Sequence, residues 1–147
     1  MNALNLSNQL CFPFYSISKE ITKRYRPLLE PLHLTYPQYL VMLVLWEQDR
    51  IAMKEIGDRL KLDSGTLTPL INKLIALGYI EKTRNPDDER HLVIQLTAKG
   101  LSLENEAQQI PEKLVEILGL TEEEYVRYQQ MLAEFSMKLG LNEDSTC

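Results

Sequence analysis

The sequence predicts a mainly α-helical fold with a small β-hairpin wing. It reads as a winged helix-turn-helix with dimerisation helices at its N- and C-terminal ends. Three observations predict it. Two helical patterns flank a short break at 61–63, a strand, charged tip and second strand follow over 79–96, and amphipathic helical patterns fill both ends of the chain. That order places one helix in a DNA major groove with a hairpin beside it. The expected division is one domain, with a winged helix-turn-helix lobe over 50–97 and dimerisation helices over 1–48 and 98–147.

At the N-terminus, Leu10, Phe14, Ile17 and Ile21 are spaced for one helix face, and the helix is expected to end near Pro27. A second helix opens at Thr35-Tyr36-Pro37, with Pro37 near the first turn, where its missing N–H is harmless. Tyr39, Met42, Leu43 and Trp46 line it, and Trp46 is expected in the core. Ile51, Met53, Ile56 and Leu60 give a third helical pattern, broken by Lys61-Leu62-Asp63. Asp63 and Ser64 are both suited to cap the next helix, because their oxygens accept orphan backbone N–H groups.

That next helix carries a clean apolar stripe of Leu67, Leu70, Ile71, Leu74 and Leu77, and Gly78 follows at the place for a left-handed C-terminal residue. Its other face offers Ser64, Thr66, Thr68, Asn72 and Lys73, with Pro69 beside them. Short hydrogen-bonding side chains and one cation suit base edges and phosphates. Tyr79 to Thr83 and Leu92 to Leu96 read as strands. Between them lies RNPDDERH, Arg84 to His91, a turn on its Asn-Pro and Asp residues. Arg84, Asp88 and Arg90 join the DNA-binding set. Arg90 is expected to reach a minor groove, whose negative field attracts guanidinium, with Asp88 bracing it. Such a hairpin taken alone also reads as a solvated charged loop.

After Thr97 a helical pattern runs to about Leu118, with a kink expected at Pro111. Thr121 to Glu124 reads as a capped start with acids at the positive helix end, and a last helix runs toward Leu139, stopped by Gly140. These ends carry more apolar surface than one small core needs. A symmetric homodimer uses it, and presents two recognition helices to a palindromic operator in double-stranded DNA.

Composition is in keeping with this. With 147 residues, 44% hydrophobic and 25% charged, the chain is a single globular domain. No run is long and apolar enough to span a bilayer, and MNALNLSNQLCFPFYS lacks a basic start and long apolar run, so no membrane partner and a cytoplasmic location are expected. The two cysteines are then reduced at rest. His33 and His91 are far apart, neither near a cysteine, so no metal site is expected; no cofactor loop or catalytic dyad is found, and no enzyme is expected. The net charge of −5 argues against indiscriminate nucleic-acid binding, but its distribution is uneven. Residues 50–100 hold nine Lys/Arg against seven Asp/Glu, and residues 101–147 hold three against ten. The acid is concentrated away from the expected DNA face.

Several motifs carry a family resemblance over nearly the whole chain. They are Asn8-Gln9-Leu10-Cys11-Phe12, Tyr25, Leu34-Thr35-Tyr36-Pro37-Gln38-Tyr39, Leu45-Trp46-Glu47 and Leu62-Asp63-Ser64-Gly65-Thr66-Leu67-Thr68-Pro69, with Asp88-x-Arg90 and Leu96-Thr97 in the wing. The chain resembles MarR-type transcriptional regulators, and among them the OhrR and MgrA-like thiol-based sensors of organic peroxides. The resemblance implies a repressor that leaves DNA when its sensor cysteine is oxidised. It implies Cys11 as the redox sensor, with Tyr25 and Tyr36 hydrogen-bonding its sulfur.

The chemistry of these residue types agrees. A thiolate attacks a peroxide and a neutral thiol reacts poorly. Cys11 has no neighbouring cation in sequence, so phenol O–H groups would have to stabilise its thiolate. The first product is a sulfenic acid, which low-molecular-weight thiols can cap. Phe12, Phe14 and Tyr15 surround Cys11 as a pocket favouring organic hydroperoxides. Cys147, in the terminal NEDSTC, is a second cysteine able to act as resolving partner or to be an incidental thiol. Two other readings stay open: a small aromatic or anionic ligand acting as the switch instead of thiol oxidation, and Cys11 as an inert core residue, since free cysteine is often buried.

Overall fold

The structure, a computed structural model, describes residues 2–141, without the side chains of 88–90. The side chains of Asp88 and Arg90, and all of Cys147, therefore lie outside the described residues. The elements are α1 (Cys11–Leu29), α2 (Tyr36–Glu47), β1 (Ile51–Ala52), α3 (Met53–Leu60), α4 (Ser64–Ala76), β2 (Ile80–Asn85), β3 (Asp88–Leu96), α5 (Ala98–Ala107), α6 (Ile110–Leu118) and α7 (Glu122–Lys138). The three strands form one antiparallel sheet in the order β1-β3-β2. Ile51 pairs with Ile94, and Ile80 with Leu96.

The core sits where α2, α3, α4 and the sheet meet. Ile56, Leu67, Ile71, Leu74, Ile80 and Ile94 are closed off from solvent together with Val41, Met42 and Leu45 of α2. The sequence predicts a single apolar stripe on α2. Instead Tyr39, Val41, Met42, Val44 and Leu45 are all buried, so α2 is covered nearly all round, while Leu43 is 39% exposed. The reason is position: α2 packs against α1, α3, α4 and α5 together. Trp46, expected in the core, is half-buried.

Local chemistry explains most boundaries. α1 continues past Pro27 to Leu29, because a proline near a helix end forfeits a single backbone bond. A short 3₁₀ turn over Glu30–Leu32 then ends at His33, whose φ of 58° lies in the left-handed region. Thr35 caps α2 with Gln38, whose Oε1 accepts the Thr35 N–H at 3.0 Å. Ile51 is taken from the expected third helix into β1, where Ile94 covers it. Pro111 does not kink one helix. The chain breaks at 108–109 and Pro111 sits in the first turn of α6, where no N–H is needed.

The hairpin is longer than predicted. β2 runs to Asn85 and β3 begins at Asp88, leaving only Pro86 and Asp87 as the turn. Asn85 Oδ1 accepts the Asp87 N–H at 3.0 Å, which closes so tight a tip. The register slips between Arg84, paired with Leu92, and Asn85, paired with Asp88. The two ends of the chain contrast with the lobe. α1 buries only Leu29, and α7 buries no residue within the chain.

Candidate functional site

α4 is the centre of the first candidate site. Asp63 adopts an extended backbone conformation and its side chain accepts the Thr66 N–H at 2.8 Å. That hydrogen bond holds the Asp63 carboxyl below the usual carboxylate range. Leu67, Ile71 and Leu74 turn inward and leave Ser64, Thr66, Pro69, Asn72 and Lys73 exposed, with Thr68 half-buried. Pro69 lies within the helix and gives up the bond to the Gly65 carbonyl, an exposed position that water can serve. Gly78, at φ 79°, ends the helix. The structure thus brings the sequence-predicted polar residues of this helix onto one open face, with Arg84 exposed on the adjoining hairpin. Short donors and acceptors on a helix braced by a continuous core suit groove reading.

The second candidate site is split within one chain. Cys11 is the first residue of α1 and is exposed; it is a free thiol. Phe12, Phe14 and Tyr15 beside it are exposed as well. The Phe14 ring stacks on Phe135 of α7 at 5.4 Å, and Lys19 Nζ lies 5.2 Å from the Tyr15 ring. Tyr25 lies fourteen residues further along the same helix, about 21 Å at 1.5 Å per residue. No contact between Cys11 and the Tyr25–Tyr36 pair is possible inside one chain.

The tyrosines do meet each other. The Tyr25 ring is 4.8 Å from Tyr36 and 5.8 Å from Tyr39. Burial first, then the neighbouring phenols, pushes the Tyr25 hydroxyl far above its ordinary value of 10.0. Burial likewise raises Tyr36 and Tyr39. All three stay protonated, and so keep O–H groups able to donate, throughout the physiological range. Tyr39 is the member that sequence reasoning placed only on the lining of α2. Its i, i+3 spacing from Tyr36 was the available signal.

The residues so arranged offer hydrogen bonds and one thiol. Among the described residues no group of His, Cys, Asp and Glu could hold a metal ion, and no helix is long and apolar enough to cross a membrane. Between α2 and α5 lies a cavity of about 240 Å³ whose lining includes Tyr39, Leu43, Trp46, Glu47 and Glu104.

The profile of the SarA/Rot transcriptional regulators matches residues 23–107, more than half of the chain. An organic hydroperoxide resistance transcriptional regulator of Bacillus subtilis is 46% identical over 120 residues, covering 82% of this chain and 80% of the relative. The chain belongs to the SarA/Rot family. It is a transcriptional regulator of the MarR/SarA type, and the family's members are regulators rather than enzymes. Two DNA-bound structures share its shape. Reduced AbfR bound to DNA, a Staphylococcus epidermidis protein, superposes with a TM-score of 0.72 at 30% identity, covering 91% of this chain and 93% of that one. A MarR mutant from E. coli complexed with operator DNA gives 0.78 at 25% identity over 89% and 98%. AbfR is also known overoxidised on DNA and with a disulfide formed. The SarA/Rot match takes in the lobe, Tyr25 and Tyr36, and leaves Cys11 outside it.

Proposed function

We propose that this SarA/Rot-type protein is a redox-switched DNA-binding repressor. As a homodimer it holds a palindromic operator through α4 and the wing, and lets go when organic hydroperoxide oxidises Cys11. The observation that carries the reading is the tyrosine pair: Tyr25 and Tyr36 are packed together, half-buried and held protonated. They are far from their own chain's Cys11, so the thiol they serve belongs to a second copy. The uncovered faces of α1 and α7 are what a second copy would cover.

The chemistry balances simply. The Cys11 thiolate attacks one peroxide oxygen, the O–O bond breaks, and the alkoxide leaves and takes up a proton as alcohol. Cys11 is left as sulfenic acid. A low-molecular-weight thiol then displaces water to give a mixed disulfide. Each product is larger than a thiolate and bonds differently, so it displaces Tyr25 and Tyr36. A change of a few ångströms in lobe spacing takes two recognition helices out of register with half-sites about 34–36 Å apart. The oxidised and disulfide forms of AbfR are in keeping with redox chemistry in a relative.

The ligand-switched reading has less support for an anionic effector. The cavity between α2 and α5 is lined by two carboxylates, Glu104 and Glu47, the latter paired with Arg59 at 2.6 Å, and by no cation of its own. Substituting Tyr25→Phe or Tyr36→Phe tests the thiol reading. Oxidation of Cys11, followed by intact mass under limiting cumene hydroperoxide, should slow, or proceed without releasing DNA. Parent-like oxidation and release in both variants would remove the tyrosines from the mechanism.

A further inference from the structure

α2 carries Tyr36, Tyr39, Leu43 and Trp46 at i, i+3, i+7 and i+10, a spacing that puts all four on one helix face. The rings run on from the thiol-site tyrosines. Tyr25 contacts both Tyr36 and Tyr39, and Tyr39 meets Trp46 edge-on at 6.4 Å. At the far end Trp46 Nε1 donates to the Gly100 carbonyl oxygen at 2.9 Å.

Gly100 is no ordinary partner. It lies in the first turn of α5, where the lobe passes into the C-terminal helices. A Cβ at Gly100 would stand 2.0 Å from the Tyr79 carbonyl oxygen, so the α5 backbone is pressed against the lobe. Around it the Thr97 N–H donates to that carbonyl at 3.0 Å, Thr97 Oγ1 to the Gly78 carbonyl at 2.5 Å, and the Tyr79 hydroxyl to the Leu32 carbonyl at 2.7 Å. Beside Leu43 and Trp46, the groove of about 240 Å³ leaves open space along this face of α2.

We propose that Trp46 is the positioning residue that carries the state of the thiol site to the DNA lobe, through its hydrogen bond to Gly100. The inference rests on the Cys11 reading above. A product on Cys11 that displaces Tyr25 or Tyr36 moves Tyr39 against the indole ring. The indole bond stays made and is re-aimed, and it draws the first turn of α5 with it. That turn sets where each lobe sits.

The test uses the full-length protein, reduced or treated with cumene hydroperoxide and a small thiol. In Trp46→Phe the ring stays and the N–H donor goes. Cys11 should be oxidised at the parent's rate and the reduced form should bind operator as the parent does. The ratio of oxidised to reduced Kd should fall about fivefold or more, the usual scale of coupling between sites. Parent-like release by Trp46→Phe overturns the inference and leaves the Cys11 reading standing. A parent whose Cys11 is oxidised without loss of operator affinity overturns both. Trp46 is the single tryptophan, so the parent's own emission gives a second measurement should the variant not fold. Its emission maximum should shift on oxidation of the parent and stay fixed in identically treated Cys11→Ser. An unshifted parent overturns the inference.

Discussion

The DNA lobe and the two chain ends satisfy their apolar residues in different ways. Between α2 and β3, the chain closes its own core: Ile56, Ile71, Leu74 and Ile94 are fully buried without outside help. In α1 and α7 the same residue types stay open, with Ile17 at 56% and Met131 at 53% exposed. A lobe finished within one chain can keep its reading surface fixed. Ends that are left uncovered depend on what covers them; in the proposed reading, altering that cover moves the lobes without deforming them. In the account proposed above, the division of labour between rigid reader and adjustable spacer is the mechanism.

The sharpest way to break the comparison is to truncate one side chain in each region. Ile71→Ala should destabilise the fold by about 2–5 kcal/mol, the cost of a buried cavity, read as a lower urea midpoint at every protein concentration. Leu132→Ala, on exposed α7, should leave the lobe's stability intact and instead weaken self-association, read by sedimentation. Equal loss of lobe stability in both would end the distinction.

A smaller effect tests the reader alone. Arg90→Ala should weaken operator binding by about 1–3 kcal/mol, the scale of one good groove contact, and leave assembly unchanged. Parent-like binding would remove the wing from the DNA interface.

The smallest effect concerns the tyrosines between the regions. Tyr25, Tyr36 and Tyr39 all hold their protons more tightly than an unfolded chain would. Above the ordinary value of 10.0 the unfolded chain therefore loses protons that the folded chain keeps. Stability should be unaffected by these groups below that pH and should decline as pH rises beyond it. Tyrosinate absorbance should show Tyr25, Tyr36 and Tyr39, together with buried Tyr79, titrating above the ordinary tyrosine value. Early titration of all tyrosines would dissolve the cluster.

Much of the lobe was legible in the sequence because its signals are local. The stripe from Leu67 to Leu77, the Asp63 cap and Gly78 each act within a few residues, and each is realised in α4. What was not legible depends on distant neighbours. The unbroken apolar run Leu40 to Trp46 signals an enclosed α2, but not which helices enclose it. The hairpin's length depends on cross-strand pairing, which a turn-rich stretch such as RNPDDERH hides. At the thiol site, Cys11, Tyr25 and Tyr36 were named from motif resemblance. The separation of Cys11 from Tyr25 along α1, and the place of Tyr39 beside Tyr25 and Tyr36, depend on how the helices are placed.

The central claim is that oxidation at Cys11 changes the spacing of two intact lobes. It is tested most directly by titrating operator DNA with the parent and with Cys11→Ser, each reduced and after organic hydroperoxide with a small thiol, reading intact mass in parallel. The account predicts that both bind when reduced and that only the parent is released. Going from nearly all bound to nearly all free takes about a 10⁴-fold loss of affinity, and the parent's mass should show one modified cysteine at position 11. Peroxide-driven release of Cys11→Ser, or a parent that stays on its operator with Cys11 modified, would contradict it.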